Sequence, residues 1–400
     1  MGKLVVLIIT AFVDMVGILM VLPLLPFYAR EFGANGLILG FLVSSFSIAQ
    51  LLSAPVWGRF SDRYGRRPAL LIGLFASAIA FVVFAFADSL WLLFVSRLVQ
   101  GAGGGTVGVI QAYVADATEP RHRARSLGWL SAATNLGVTI GPPIGALTLV
   151  WGRAAPGLVA AGLCVVNCIF AARYLRESHD FAAHAAAGRK PGTPRDAVWR
   201  VVSHSSEPAP RLIWIYAITM CAFMGMNAIL AFFLADQFGV TENTMWVFFT
   251  YVGALGVIVR AGILGWVVDR LGEARLSRVG STLLAVGLAS IPLATNYVTL
   301  AIAIGLVPVG TAFTFPCVTA LLSRVIGSHE RGLYMGVQQT FGGIARVIGP
   351  IWAGFAWDHL GRAVPFWTGA ALVAGTIFLG LGMEAYTKPA PAEAPAPSPR

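Results

Sequence analysis

The sequence predicts an all-α membrane protein: twelve transmembrane helices in two six-helix bundles related by pseudo-symmetry. Three observations predict it. The first is composition. Of 400 residues, 57% are hydrophobic and only 12% are charged, and the mean hydropathy is +0.76. Soluble domains carry roughly 25% charged residues, so this chain lacks the polar coat of a soluble enzyme or a nucleic-acid-binding protein. The second is a series of twelve apolar runs, each near the ~20 residues that cross a hydrocarbon core as a helix. The third is an internal repeat relating the first six runs to the last six.

The runs cover residues 4–29, 37–57, 69–87, 90–116, 126–149, 156–175, 212–235, 244–264, 276–294, 297–325, 333–356 and 365–385, hereafter spans 1 to 12. Span 1 is too long for a leader-peptide core and no cleavage site fits its end, so it reads as a retained helix. With the N-terminus cytoplasmic, 22 of the 28 Lys and Arg residues fall on cytoplasmic segments. Only Arg30, Arg153 and Arg362 fall on the opposite side, and Arg97, Arg260 and Arg346 lie within spans. Positive charge collects on cytoplasmic loops, so both termini are expected inside, after an even number of crossings. The net charge of +10 is therefore an orientation signal and not a nucleic-acid footprint. Residues 1–176 form the first bundle and 212–385 the second. Between them, 177–211 reads as a cytoplasmic linker with a short surface helix at 197–202. The Pro/Ala-rich tail, 386–400, reads as disordered.

The repeat is specific. Gly58-Arg-Phe-Ser-Asp62-Arg63-Tyr-Gly65 is echoed by Gly265-Trp-Val-Val-Asp269-Arg270-Leu-Gly272, an offset of 207. Arg123 through Gly141-Pro142 is echoed by Arg331 through Gly349-Pro350, an offset of 208. Two separate segments at nearly one spacing mark a duplicated transporter, with its substrate path between the halves near the bilayer midplane.

Four strings carry chemistry. The connection from Gly58 to Pro68 holds Arg59, Arg63, Arg66 and Arg67 around a lone acid, Asp62. Its glycines permit a tight turn and its arginines suit an anionic membrane surface; the simplest role for Asp62 is a local ion pair of small value. In span 5, Gly137, Gly141 and Gly145 recur every four residues, making a flat face for close helix packing, and Pro142 permits a kink. In span 4, Arg97-Leu-Val-Gln100-Gly101 buries an arginine, which at that depth is costly and functional by default. The glycines that follow have no preceding strand, so a nucleotide loop is excluded. In span 1, Asp14 is the only carboxylate near the middle of any span.

These strings resemble those of the major facilitator superfamily. The 58–68 string resembles the family's loop 2–3 signature nearly residue for residue, and Arg97 to Gly101 its span 4 signature. The Gly-Pro pattern of span 5 looks like that of the antiporter branch, although Ala146 stands where the family form has a second Gly. Asp14 through Pro23 and Pro26 is similar to the first span of the drug:proton antiporters, tetracycline exporters included. The resemblance implies the major facilitator fold and a role for each string. Asp62 would sit against the start of span 11 near Gly332–Gly336, and Arg63 would reach Asp116. With Gly58, Gly65, Arg66 and Arg67 they would latch the cytoplasmic gate in the outward-facing state. Gly137, Gly141, Pro142 and Gly145 would form the antiporter motif. Tetracycline exporters of this branch carry further acids in spans 3 and 9; none occurs here in 69–87 or 276–294, which argues against tetracycline itself.

Asp14 and Arg97 are the expected proton-coupling residues. Their depths differ by only ~5 Å at 1.5 Å of rise per residue, and an apolar setting and a nearby arginine push a carboxylate in opposite directions. A static buried ion pair is the alternative. Gln100, Asn135, Asn227, Gln338 and Arg346 are the expected substrate-cavity residues. The four cysteines lie in apolar runs and the six histidines lie towards loops, so no metal site is expected, and no cofactor. The resulting expectation is a proton-exchanging exporter of a hydrophobic, drug-like molecule, a monomer in a bacterial inner membrane whose partners are substrate, protons and the lipid bilayer. A proton-coupled symporter of a sugar or metabolite is the alternative.

Overall fold

The computed structural model describes residues 3–103, 106–118, 122–175, 194–327 and 330–386. Residues 177–193 of the expected linker, and the tail from 387 on, lie outside the described residues. Among those residues every regular element is a helix. Nine helical stretches among them are long and apolar enough to cross a membrane by length and composition, and the described residues of each of the twelve apolar runs lie mainly on helix. Span 1 is in two pieces, Lys3–Val21 and Leu25–Glu31, with Pro23 in the turn between them, where its missing N–H breaks the ladder. Spans 8 and 9 share one continuous helical stretch of 49 residues, Met245–Leu293. It contains a π-helical turn at Val259–Ile263 and a break at Gly272.

The two echoed loops share a backbone geometry as well as a sequence. Gly65, between Gly36–Tyr64 and Arg66–Ala85, has φ 104° and ψ 160°; Gly272 has φ 73° and ψ 159°. Both lie at positive φ, where a Cβ is disfavoured and glycine is not. The packing repeats too. Span 1 packs on span 5 and span 3 on span 6; in the second half, span 7 packs on span 11 and span 9 on span 12. The halves meet along two seams, span 2 against span 11 and span 5 against span 8.

Among the described residues, the apolar clusters shared by the two halves lie at one end. At the end away from the arginine-rich loops, Phe232 and Trp357 of the second half pack into the first half's apolar cluster, and Phe27 packs into the second half's. At the arginine-rich end, the two clusters contain no residue of the other half. Outside the helical pairs, the short helix Pro194–Ser203 docks on the second half, where Trp214 donates its indole N–H to the Val201 carbonyl at 3.1 Å.

Candidate functional site

A cavity of about 210 Å³ opens among spans 1, 4 and 5. Its walls are mostly apolar, and its polar side chains are Asp14, Gln111, Ser131, Thr134 and Asn135. Asp14 is only 1% exposed. The helix that carries it is held by the glycines of span 5. A Cβ on Gly137 would stand 2.8 Å from the Met15 Cβ and from the Phe12 carbonyl oxygen, and one on Gly141 would stand 2.8 Å from the Leu19 Cβ. A Cβ on Gly145 would collide with the Met20 carbonyl. The stripe therefore does the packing its spacing implies, and its packing partner is the helix bearing the membrane carboxylate. Pro142 lies within an unbroken helix, Arg123–Thr148.

Arg97 is 2% exposed; its guanidinium lies 5.8 Å from the Phe84 ring centroid, and its Nε and Nη2 have no hydrogen-bond partner. Among the described residues it forms no ion pair with Asp14. Helix rise fixes the height of a residue but not its bearing around the axis, so similar depth does not by itself make an ion pair. Gln100 and Gln338 are not part of this cavity's lining. Each is 1% exposed; Gln338 accepts from the Thr319 hydroxyl at 3.5 Å. Asn227 lines a second, much smaller hollow of about 20 Å³ and donates to the Phe223 carbonyl at 2.8 Å. Arg346 is half-buried on span 11, near Gly343. Of the expected set, only Asn135 joins Asp14 at the cavity. Its Oδ1 accepts from Arg260 Nη1 of span 8 at 3.2 Å, a bond that joins the halves.

At the arginine-rich end, Asp62 does not reach span 11. Its carboxylate takes Arg66 Nη1 at 2.8 Å, and Arg66 also donates to Ser61 Oγ at 2.9 Å. Arg63 lies over the Tyr64 ring, 5.4 Å from its centroid. Arg67 donates to the Ala172 carbonyl, tying the loop to span 6. Gly58, Gly332 and Gly336 have open space where a Cβ would be. The Asp116 side chain lies outside the described residues.

The opposite end is fastened by acids at span ends that belong to none of the four strings. Asp358, in the last turn of span 11, accepts the backbone N–H groups of Gly36 and Leu37 at 2.8 Å each. These are unsatisfied donors of the first turn of span 2, where the helix dipole favours an anion. Asp236 of span 7 pairs with Arg30 at 2.6 Å and with Arg362 at 3.2 Å. Ser44 Oγ donates to the Val347 carbonyl at 2.7 Å. The usable signal was small residues every four positions on both helices: Gly36, Gly40 and Ser44 on span 2, Pro350 and Gly354 one turn apart ahead of Asp358 on span 11.

The profile of the Major Facilitator Superfamily matches residues 7–350 and 261–400. Over 383 residues the chain is 24% identical to multidrug resistance protein 2 of Bacillus subtilis (strain 168), covering 93% of this chain and 92% of that one. Over 387 residues it is 28% identical to the class C tetracycline resistance protein of Escherichia coli, covering 89% and 93%. In structure it is similar to the human organic anion transporter MFSD10 (TETRAN), with a TM-score of 0.72 at 23% identity over 95% of this chain and 99% of that one. The D-xylose-proton symporter gives a TM-score of 0.75 at 15% identity over 96% and 98%. Two helical halves that repeat in sequence and in packing, with a carboxylate at a cavity among the helices of the first, are thus matched along nearly the whole chain: it belongs to the Major Facilitator Superfamily and is a multi-pass membrane transporter, not an enzyme.

Proposed function

We propose that this transporter exports hydrophobic, drug-like small molecules in exchange for protons. It would work in a bacterial inner membrane with both termini cytoplasmic, by rocking residues 1–176 against 212–385. The observation that carries this reading is Asp14: a carboxylate buried in mid-span that is also part of the lining of the 210 Å³ cavity among spans 1, 4 and 5. A group so placed can bind a proton or a substrate from the same water-filled space, and competition between them is what couples exchange. Each ligand shifts the balance of states only by its differential affinity for them. The glycine stripe that seats the Asp14 helix and the names of the bacterial relatives both favour drug export.

The seams, closed at the Asp358 end and parted at the arginine-rich end, correspond in this reading to the inward-open state. The unlatched Asp62 fits it, because its contact with span 11 belongs to the outward-open state. Expression in an efflux-deficient bacterial host tests the proposal. The wild-type protein should confer resistance to some apolar compounds, and Asp14→Asn should lose it at equal abundance. Equal resistance from the two proteins would overturn the reading.

A further inference from the structure

Arg260 belongs to none of the sequence strings, yet it carries an unanswered charge. It lies in the π-helical turn Val259–Ile263 of span 8, a widened turn frequent at functional sites. By helix rise it is ~13 Å from Asp269, at the arginine-rich end of the stretch. It is half-buried, and among the described residues its one hydrogen bond is to Asn135 Oδ1, with no carboxylate in reach. A guanidinium has five donors, and a cation at this depth is costly without a counter-charge. A single amide oxygen is a weak substitute. Asn135 is in turn fixed, since its Nδ2 donates to the Ser131 carbonyl at 2.7 Å, and it lines the cavity that also holds Asp14. The cavity thus has an acid on span 1 and, one hydrogen bond behind Asn135, a cation supplied by the other half.

We propose that the transported molecules are amphipathic zwitterions. An apolar body fills the cavity, a basic amine replaces the proton at Asp14, and an acidic group takes Arg260 from Asn135. This assignment rests on the proton-exchange reading of Asp14, and the signs of the charges select it. An ammonium group and a proton compete for one carboxylate, which is the condition for exchange. An anion alone would favour the protonated Asp14 and oppose exchange. A cation alone would leave Arg260 without a counter-charge.

The test uses the full chain in proteoliposomes and three matched probes: a piperazinyl-quinolone carboxylic acid, its ethyl ester, which keeps only the amine charge, and its N-acetyl derivative, which keeps only the acid. Binding is followed by fluorescence at neutral pH, together with proton release. The wild-type protein should bind the zwitterion about tenfold or more tighter than either derivative, the scale of one buried charge pair. Arg260→Gln should erase the advantage over the ester while leaving ester binding unchanged. Arg260→Lys should retain most of it. Asn135→Ala, which removes the amide that the acid must displace, should tighten the zwitterion and not the ester. An unchanged zwitterion-to-ester ratio in Arg260→Gln or Asn135→Ala overturns the assignment. So does a wild-type protein that prefers the ester or binds none of the three. If ester binding still releases protons, only the zwitterion assignment falls. If no bound probe releases protons, the exchange reading falls with it.

Discussion

The carboxylate of Asp358 bonds both to the N–H of Gly36 and to that of Leu37, its two oxygens each 2.8 Å from a backbone nitrogen of the opposite half. One side chain on span 11 thereby answers the dipole and two of the orphan donors at the start of span 2. Hydrogen bonds to a charged group contribute about 1.5–3 kcal/mol when buried, and less at an exposed end such as this. Asp358→Ala is therefore expected to shift the balance away from the state closed at this end by on the order of tenfold, since each ~1.4 kcal/mol is a factor of ten. Pulsed electron–electron distances between spin labels on spans 2 and 11 check it. Unchanged distance distributions would refute the role.

Close backbone approach at the same seam makes a steric prediction. A Cβ on Gly354 would collide with the Gly36 carbonyl, and one on Gly40 with the Pro350 carbonyl. Both neighbours are backbone atoms that cannot swing aside. Gly354→Val should still insert but fail to close this end, reducing transport by about tenfold or more, since core overpacking costs typically 1–3 kcal/mol. Cysteine accessibility on the closed end, together with transport rate, measures both effects.

Asp62 separates stability from cycling. Its ion pair with Arg66 is half-exposed, with the carboxylate 54% accessible, and such pairs contribute ~0–1 kcal/mol. Asp62→Asn should leave abundance and melting temperature nearly unchanged while transport is abolished, because the proposed contact with span 11 forms only in the other state. Normal transport by the variant would remove the latch from the account.

A pH effect is expected at the closed end. Glu242 lies in the connection before span 8; burial, and then the like charge of Glu31, push its carboxyl above the ordinary carboxylate range, against the opposing pull of Arg153. With its folded value raised, the group favours the folded state fully below its unfolded value, and that contribution is lost as pH rises through the folded one. Glu242→Gln should therefore melt higher than the wild-type protein at neutral pH, with the difference vanishing in acid. Melting curves at the two pH values decide it, and a variant less stable at neutral pH would contradict the sign.

The fold was legible because its causes are one-dimensional. Apolar run length and the 207–208 offset are written along the chain, and the shared geometry of Gly65 and Gly272 follows from the same duplication. The glycine stripe of span 5 was legible as a packing face, since spacing of four fixes a helix face. What faces that stripe was not, because its partner lies more than a hundred residues away. The surroundings of Arg97 were not legible for a related reason: height along a helix can be counted, but bearing around it depends on which neighbour packs where. Asp358 and Arg260 act across the two halves, on Gly36 and Asn135. For Asp358 the small residues at every fourth position of spans 2 and 11 mark the seam but not the bond across it, and nothing local in the sequence marks Arg260.

Substrate-driven proton flux in proteoliposomes, wild type against Asp14→Asn, tests the central claim most directly. An outward gradient of a compound to which the protein confers resistance should drive measurable counter-movement of protons in the wild type. In Asp14→Asn that flux should be absent, while passive exchange of labelled compound across the membrane persists. Proton flux of wild-type size in Asp14→Asn would contradict the account.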